Sequence, residues 1–261
     1  MKLLTLARDL KRRKARDRQH LFVSEGVRAT EELLRSRLTI RGALVAPQLA
    51  EAPRGAALRA ALVERGVSVE DVEAKDFGSA AETESPQGIV AIAEIPSRSF
   101  AEIHSNWEGV VLVLDGVQDP GNVGAILRTA VAAGATGGVV AGVAADPFGS
   151  KAIRASAGAV FHLPLLFFPS ASQAAAALHR HDVRVLVADP RGDRLESEVS
   201  YARPLALVFG SEGAGAARAW TPSAIRIRLP MAGAMESLGV AAAAAVLLYR
   251  AGAVAPGLGN D

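Results

Sequence analysis

Three glycine-bearing stretches hold the side chains whose types and spacing can do chemistry. The first, Asp115-Gly116-Val117-Gln118-Asp119-Pro120-Gly121, runs into a helical pattern that begins at Asn122. Val123, Ile126, Leu127, Ala130, Val131 and Gly134 fall at helical spacing and form its core face. Gly121, Gly124, Ala125 and Ala132 surround Arg128 on the other side, and Arg128 is the only charged group on the element. A helix facing water carries several Lys or Glu, so these small residues imply a close approach by something that the guanidinium meets. A structural ion pair for Arg128, with Asn122 as a helix cap, is the plainer alternative that this stretch leaves open.

The second stretch is Gly210-Ser211-Glu212-Gly213-Ala214-Gly215. Its three glycines permit positive φ and close passage of a ligand. It does not match GxGxxG and no phosphate-loop lysine follows, which disfavours a nucleotide phosphate site. The third stretch, Pro230 to Ser237, brings further glycine and Glu236. Other chemistries lack their residues. His20, His104, His162, His179 and His181 share no motif, GxSxG is absent, and the chain has no Cys. Thiolate chemistry, most zinc sites and the serine-hydrolase elbow are thereby excluded, and no metal constellation is expected.

The elements that must position these loops read as an α/β protein. Val110 to Leu114, Gly138 to Val143, Val183 to Ala188, Leu205 to Phe209 and Ile225 to Leu229 are apolar runs of the kind found in strands covered on both faces. Helices fit between them at 122–134, 149–158, 170–181 and 238–250, giving a mainly parallel sheet with helices on both faces. Ligands bind outside the carboxyl ends of such strands, which directs attention to the loops after Leu114, Phe209 and Leu229. The first 95 residues alternate in the same way, with a helix over 3–16 and strands at Ile40–Ala46, Val67–Val72 and Gly88–Ile95. The expected division is a small α/β domain over 1–96, a proline-marked linker over 97–107 and a larger domain over 108–261.

Ile225 to Arg250 organises the larger domain. Ile225, Ile227 and Leu229 alternate as in a strand, Pro230 ends the ladder, and Leu238 to Tyr249 is apolar or glycine on every face. Such a helix must lie in a core or against another subunit. At twelve residues it is shorter than the roughly 20 needed to cross a bilayer. The five alanines Ala241–Ala245 let a neighbouring backbone come close, as a dimer helix requires, and Ser237 is placed to cap the amino terminus.

A chain of 261 residues, half of them hydrophobic, holds one or two domains and buries a proper core. Its charge is uneven. Residues 1–20 carry eight basic side chains against two acidic, whereas the remainder carries 21 basic and 25 acidic. A basic arm on a mildly acidic body suits a polyanion, nucleic acid being the commonest, with Arg8, Lys11, Arg12, Arg13 and Arg16 as the contacts. A solvated helix whose charges serve solubility is the alternative. No secretory signal is visible, and a cytoplasmic protein is expected.

Taken together, the loops resemble the SpoU, or TrmH-like, family of RNA ribose 2′-O-methyltransferases within the SPOUT superfamily. Asp119 through Ala130 looks like the family's first motif, Phe209-Gly210-Ser211-Glu212-Gly213 its second, and Leu229-Pro230-Met231 through Ser237-Leu238 its third. Phe22-Val23-Ser24-Glu25-Gly26 and Ser85-Pro86-Gln87-Gly88 are similar to the family's N-terminal substrate-binding domain, which has a ribosomal-protein-like fold. The resemblance implies a trefoil knot, an exception to the rule against knots. It also implies S-adenosylmethionine held by the backbone around Gly210, Leu229 and Leu238 with Met231 close by, and a homodimer.

Asn122, Arg128, Glu212 and Ser237 match the family's functional positions. Arg128 is often proposed there as a base, but an arginine pKa above about 12 makes deprotonation costly. A bidentate grip on the neighbouring phosphate is physically easier. The pattern departs at Gly239, where the family usually has Asn. The N-terminal domain points to ribosomal RNA as substrate. A tRNA substrate, a non-catalytic RNA-binding protein retaining the fold, and a Rossmann dehydrogenase lacking its early glycine fingerprint are the competing readings.

Overall fold

The structure, a computed structural model, describes residues 2–98, 109–213, 215–216, 218–220, 224–233 and 235–252. The chain forms two compact units, Met1–Ser97 with Asp146–His162, and Arg98–Ala145 with Leu163–Asp261. The first therefore extends beyond the expected 1–96, because a segment of the expected 108–261 domain packs with it. Most of the expected linker lies outside the described residues.

In the first unit, α1 (Leu3–Leu10) and α2 (Arg13–Gln19) replace the single helix expected over 3–16. Arg12 between them is extended, with φ −88° and ψ 128°. β1 (Leu21–Glu25), α3 (Val27–Arg35), β2 (Ile40–Val45), α4 (Pro53–Glu64), β3 (Val69–Asp71), α5 (Ala74–Ala80) and β4 (Ile89–Glu94) follow. The sheet runs β1-β4-β2-β3, with β4 antiparallel to β1 and β2, and β3 parallel to β2. Ala7 and Leu10 of α1 pack with Leu44, Phe77, Val90 and Ile92 in one buried cluster. Each fully buried Leu or Phe adds roughly 1.5–3 kcal/mol of apolar transfer.

The two stretches that carried the N-terminal resemblance meet at Gly26. Its φ of +96° suits glycine, its N–H donates to Ile89 O, and the next N–H, of Val27, donates to Gln87 Oε1 at 2.8 Å. On the other side of β1, Phe22 is fully buried, with the rings of Phe148 and Phe161 at centroid distances of 4.9 and 5.4 Å. Both of those rings come from the 146–162 segment.

The second unit contains β5 (Val110–Asp115), α6 (Pro120–Ala132), β6 (Gly137–Ala141), β7 (Leu165–Phe168), α8 (Ala171–Arg180), β8 (Arg184–Ala188), β9 (Arg194–Leu195), β10 (Leu205–Gly210), β11 (Ala224–Arg228) and α9 (Val240–Arg250), α7 (Ser150–Ser156) belonging to the first unit. Among the described residues its sheet has seven strands in the order β7-β6-β5-β10-β8-β11-β9, and every pair is parallel. Every residue of β5 and of β10 is buried, as their unbroken apolar runs require. Because the strands run one way, the turns after β5, β8, β10 and β11 leave from one edge.

Candidate functional site

That edge carries a cleft of about 760 Å³, within the size range of small-molecule sites. Gly210, Leu229, Met231 and Leu238, the four positions expected to hold a cofactor, all line it, as do Glu212, Glu236, Ser237 and Gly239. Loops two and three thus converge on one space.

Gly210 explains the shape of loop two. A Cβ there would lie 2.0 Å from Ala216 N and 2.1 Å from Gly215 C, so the returning chain passes directly over it. Ser211 and Gly215 close the turn through a backbone bridge, with Gly215 at φ +69°. Only a glycine at 210 allows this approach.

Loop one joins from the side. Asp119 caps α6, its Oδ1 accepting from Asn122 N–H at 2.8 Å, so the cap is Asp119 and the Asn122 side chain is left available. Asn122 Nδ2 donates instead to Glu212 Oε1, tying loop one to the lip of the cleft. Arg128 lies farther along α6; it is exposed, has no hydrogen bond or ion pair to another described residue, and does not line the cleft. Ser237 does not cap α9. The helix begins at Val240 with Gly239 in the cap position and no side-chain cap, and Ser237 lines the cleft instead.

One wall was not foreseen. Ala188, Asp189, Pro190 and Arg191, from the turn after β8, line the cleft together with Trp220 and Arg226. The signal was present as a Pro-Arg-Gly turn at the end of an apolar run. Arg226 bonds to Asp193 and Asp189, and the Asp193 contact above all holds its guanidinium pKa above the ordinary range.

The basic arm is more engaged than its sequence suggested. Arg8 pairs with Asp76 at 3.0 Å, Lys11 Nζ donates to Ala81 O at 2.6 Å, and Arg12 pairs with Asp9. Arg13 has Asp17 at 3.9 Å. Arg16 is buried, with Nε donating to Asp146 Oδ2 at 2.7 Å and Nη1 donating to Leu10 O and Lys11 O. Its guanidinium holds the first unit together in place of the phosphate contact expected of it. Among the described residues no cluster of His, Cys, Asp or Glu could hold a metal ion, and no helix is long and apolar enough to cross a membrane.

The SpoU rRNA methylase family model matches residues 109–249, which include every cleft residue named above. The chain belongs to this family. An MRM3-like substrate-binding domain model matches residues 5–91. The 23S rRNA (guanosine(2553)-2′-O)-methyltransferase of Bacillus subtilis is 32% identical over 240 residues, covering 91% of this chain and 90% of that protein. The SpoU methyltransferase AviRb of Streptomyces viridochromogenes, solved with the cofactor AdoMet, superposes with a TM-score of 0.84 at 27% identity, covering 97% of this chain and 98% of that one. An AdoMet-bound rRNA methyltransferase of Sinorhizobium meliloti gives 0.82 at 29% identity, over 95% and 93%. These SpoU relatives match this chain along nearly its whole length, both units included.

Proposed function

We propose that this protein transfers the methyl group of S-adenosylmethionine to a ribose 2′-hydroxyl of 23S ribosomal RNA. The observation that carries this reading is the convergence of Gly210, Glu212, Leu229 and Leu238 on one cleft, with Asn122 tied to its lip through Glu212. The residues present suit the cofactor. Leu229, Leu238 and Leu247 offer an apolar wall for an adenosine, and Glu212 and Glu236 lie where a cationic group would be neutralised.

S-adenosylmethionine supplies an activated methyl group. The chain's task is then to bring the hydroxyl into line and help it lose its proton, with no metal in the scheme. In this reading Asn122 and Glu212 orient the ribose side of the cleft, Ser237 adds a hydroxyl to the same wall, and Arg128 grips the adjacent phosphate. Leu229, Met231 and Leu238 pack the cofactor. Because Arg128 does not line the cleft of its own chain, the reading includes a homodimer in which two copies complete the site. The exposed Met235, Leu238, Val246 and Tyr249 give that association an apolar surface. It also includes the knotted path of the last strand and helix, supported by the placing of β10 between β5 and β8 and of β11 beyond β8. A cytoplasmic location follows from the ribosomal substrate.

Calorimetry with S-adenosylmethionine tests the cofactor, and mapping 2′-O-methyl positions in RNA from cells with and without the protein tests the substrate. Absence of binding at millimolar cofactor, with no ribosomal position changed, would leave an RNA-binding scaffold; a changed tRNA position would move the substrate.

Gly239 gives a sharper version of that test. It has φ −58° and a Cβ there would meet nothing within 4 Å, so an asparagine fits without strain. Gly239→Asn is expected to tighten cofactor binding or raise kcat by about three- to tenfold, the effect of one or two added hydrogen bonds. A variant indistinguishable from the parent in both would show that the glycine is not a deficit.

For the arm, Arg12 and Arg13 are the exposed candidates for RNA phosphate contact. Neutralising each is expected to lower the slope of log affinity against log salt by roughly one, without altering sequence preference. Affinity that does not change with salt would remove the arm from RNA binding.

A further inference from the structure

We infer that Asp115 and Trp220 are positioning residues that fix the glycine-rich loop over the cofactor cleft, an inference that rests on the reading of that cleft as the S-adenosylmethionine site. Asp115 is the last residue of β5, paired in register with Gly210 on one side and Ala141 on the other. It is buried, which is unusual for an acid at a strand end. Its Oδ2 accepts a 2.8 Å hydrogen bond from Trp220 Nε1, which is also buried.

The consequence follows from where Trp220 stands in the chain. The loop leaves the sheet at Gly210, crosses back over Gly210 at Ala216, and ends in the short turn Arg218–Trp220. Its outgoing end is fixed by the strand. Its returning end is fixed by Trp220, whose ring packs with Val111, Val113 and Val208 and whose N–H reaches the same rung that holds Gly210. Glu212, Gly213, Gly215, Ala216 and Arg218 between these two anchors line the cleft. A loop of glycines has no packing of its own to hold one shape, so the buried hydrogen bond sets the height of the roof. Asp115 also begins the turn toward Asp119 and Asn122, and so serves both loops.

The test compares Trp220→Phe, Asp115→Asn, Asp115→Leu and the double variant Trp220→Phe/Asp115→Leu in the full chain. Trp220→Phe keeps a ring in the core and removes only the donor. It is expected to raise KM for S-adenosylmethionine about tenfold and leave KM for RNA within about twofold. Asp115→Asn keeps an acceptor oxygen and is expected to stay near the parent protein. Asp115→Leu is expected to raise that KM at least as much as Trp220→Phe, and adding Trp220→Phe to Asp115→Leu is expected to cost little more.

Tryptic cleavage after Arg218, followed by mass spectrometry without cofactor, reports the tether independently and is expected to be about tenfold faster in Trp220→Phe. Parent-like cleavage and parent-like cofactor KM in Trp220→Phe overturn the inference, as does Asp115→Asn being as impaired as Asp115→Leu. If the parent protein itself fails to bind cofactor, the reading of the cleft fails, while the cleavage rates still decide whether the hydrogen bond holds the loop.

Discussion

Arg128→Ala is expected to lower kcat/KM for methyl transfer by about a thousandfold while leaving the Kd for S-adenosylmethionine within about twofold. The split follows from position. Arg128 lies two turns along α6 from the Asp119 cap, is exposed, and does not line the cleft that would hold the cofactor. Its small-residue surroundings, Gly121, Gly124, Ala125 and Ala132, admit a close neighbour on that face. A guanidinium bonded to a phosphate through two parallel N–H groups fixes both distance and plane, and misplacing a nucleophile by an ångström costs on the order of a hundredfold. Removing the charge as well accounts for the remaining factor.

Arg128→Lys separates this role from simple charge. Lysine restores the cation without the planar fork, so the expected loss is intermediate, about tenfold to a hundredfold. Single-turnover rates with saturating cofactor and RNA supply the measurement. Normal turnover in Arg128→Lys removes the residue from the essential set, and a loss confined to cofactor affinity assigns it to the wrong ligand.

Much of the larger unit was legible because its central strands are buried on both faces, whereas β11 is only partly covered. Runs such as Val110–Leu114 and Leu205–Phe209 have no polar interruption, and the three loops at their carboxyl ends follow from direction alone. β7 was missed because Leu165–Phe168 is short, follows a proline and exposes Phe167, while β9 has two residues. The fourth turn, after β8, escaped because its cleft role depends on β8 lying between β10 and β11, a matter of strand order that no local pattern encodes.

The smaller unit was less legible for a different reason. The leucines of 3–16 keep one helical face, yet the chain breaks at Arg12, and the group that consumes Arg16 lies 130 residues away. α5 was missed because Ala74–Ala80 is short and contains Gly78, a weak helix former. Charge counting treated eight basic residues as one footprint; burial separates Arg16 from Arg12 and Arg13. The same blindness hid Asp119 as the cap of α6, since capping by side chain depends on which of two neighbouring polar residues reaches the free N–H.

Asp146→Ala tests that long-range pair, and its expected cost to the first unit is about 3–5 kcal/mol, the range for removing one partner of a buried ion pair. The Arg16 and Asp146 side chains are only 9% and 13% exposed, so solvent screens them little. Among the described residues Arg16 has no other carboxylate partner; its remaining partners there are the carbonyls of Leu10 and Lys11, which cannot neutralise it. Loss of the acid therefore leaves a buried cation at the junction of α1 and α2, next to the strand that carries Phe22. The rings of Phe148 and Phe161 enter that strand's surroundings on the same segment, two and fifteen residues beyond Asp146. Loosening the segment thus uncovers apolar surface as well.

Since two units make a single unfolding free energy ill-defined, amide exchange is the suitable measurement. Amides of β1 are expected to exchange roughly a hundred- to several thousandfold faster in Asp146→Ala, with those of β5 and β10 as the internal reference. Arg16→Met, which keeps the stem, is expected to cost less than Asp146→Ala, because the Asp146 carboxylate it leaves behind still accepts from Phe148 N–H and can take up a proton, whereas a guanidinium cannot shed its charge. Equal protection of β1 in the parent and in Asp146→Ala would show that the pair contributes nothing net to the first unit.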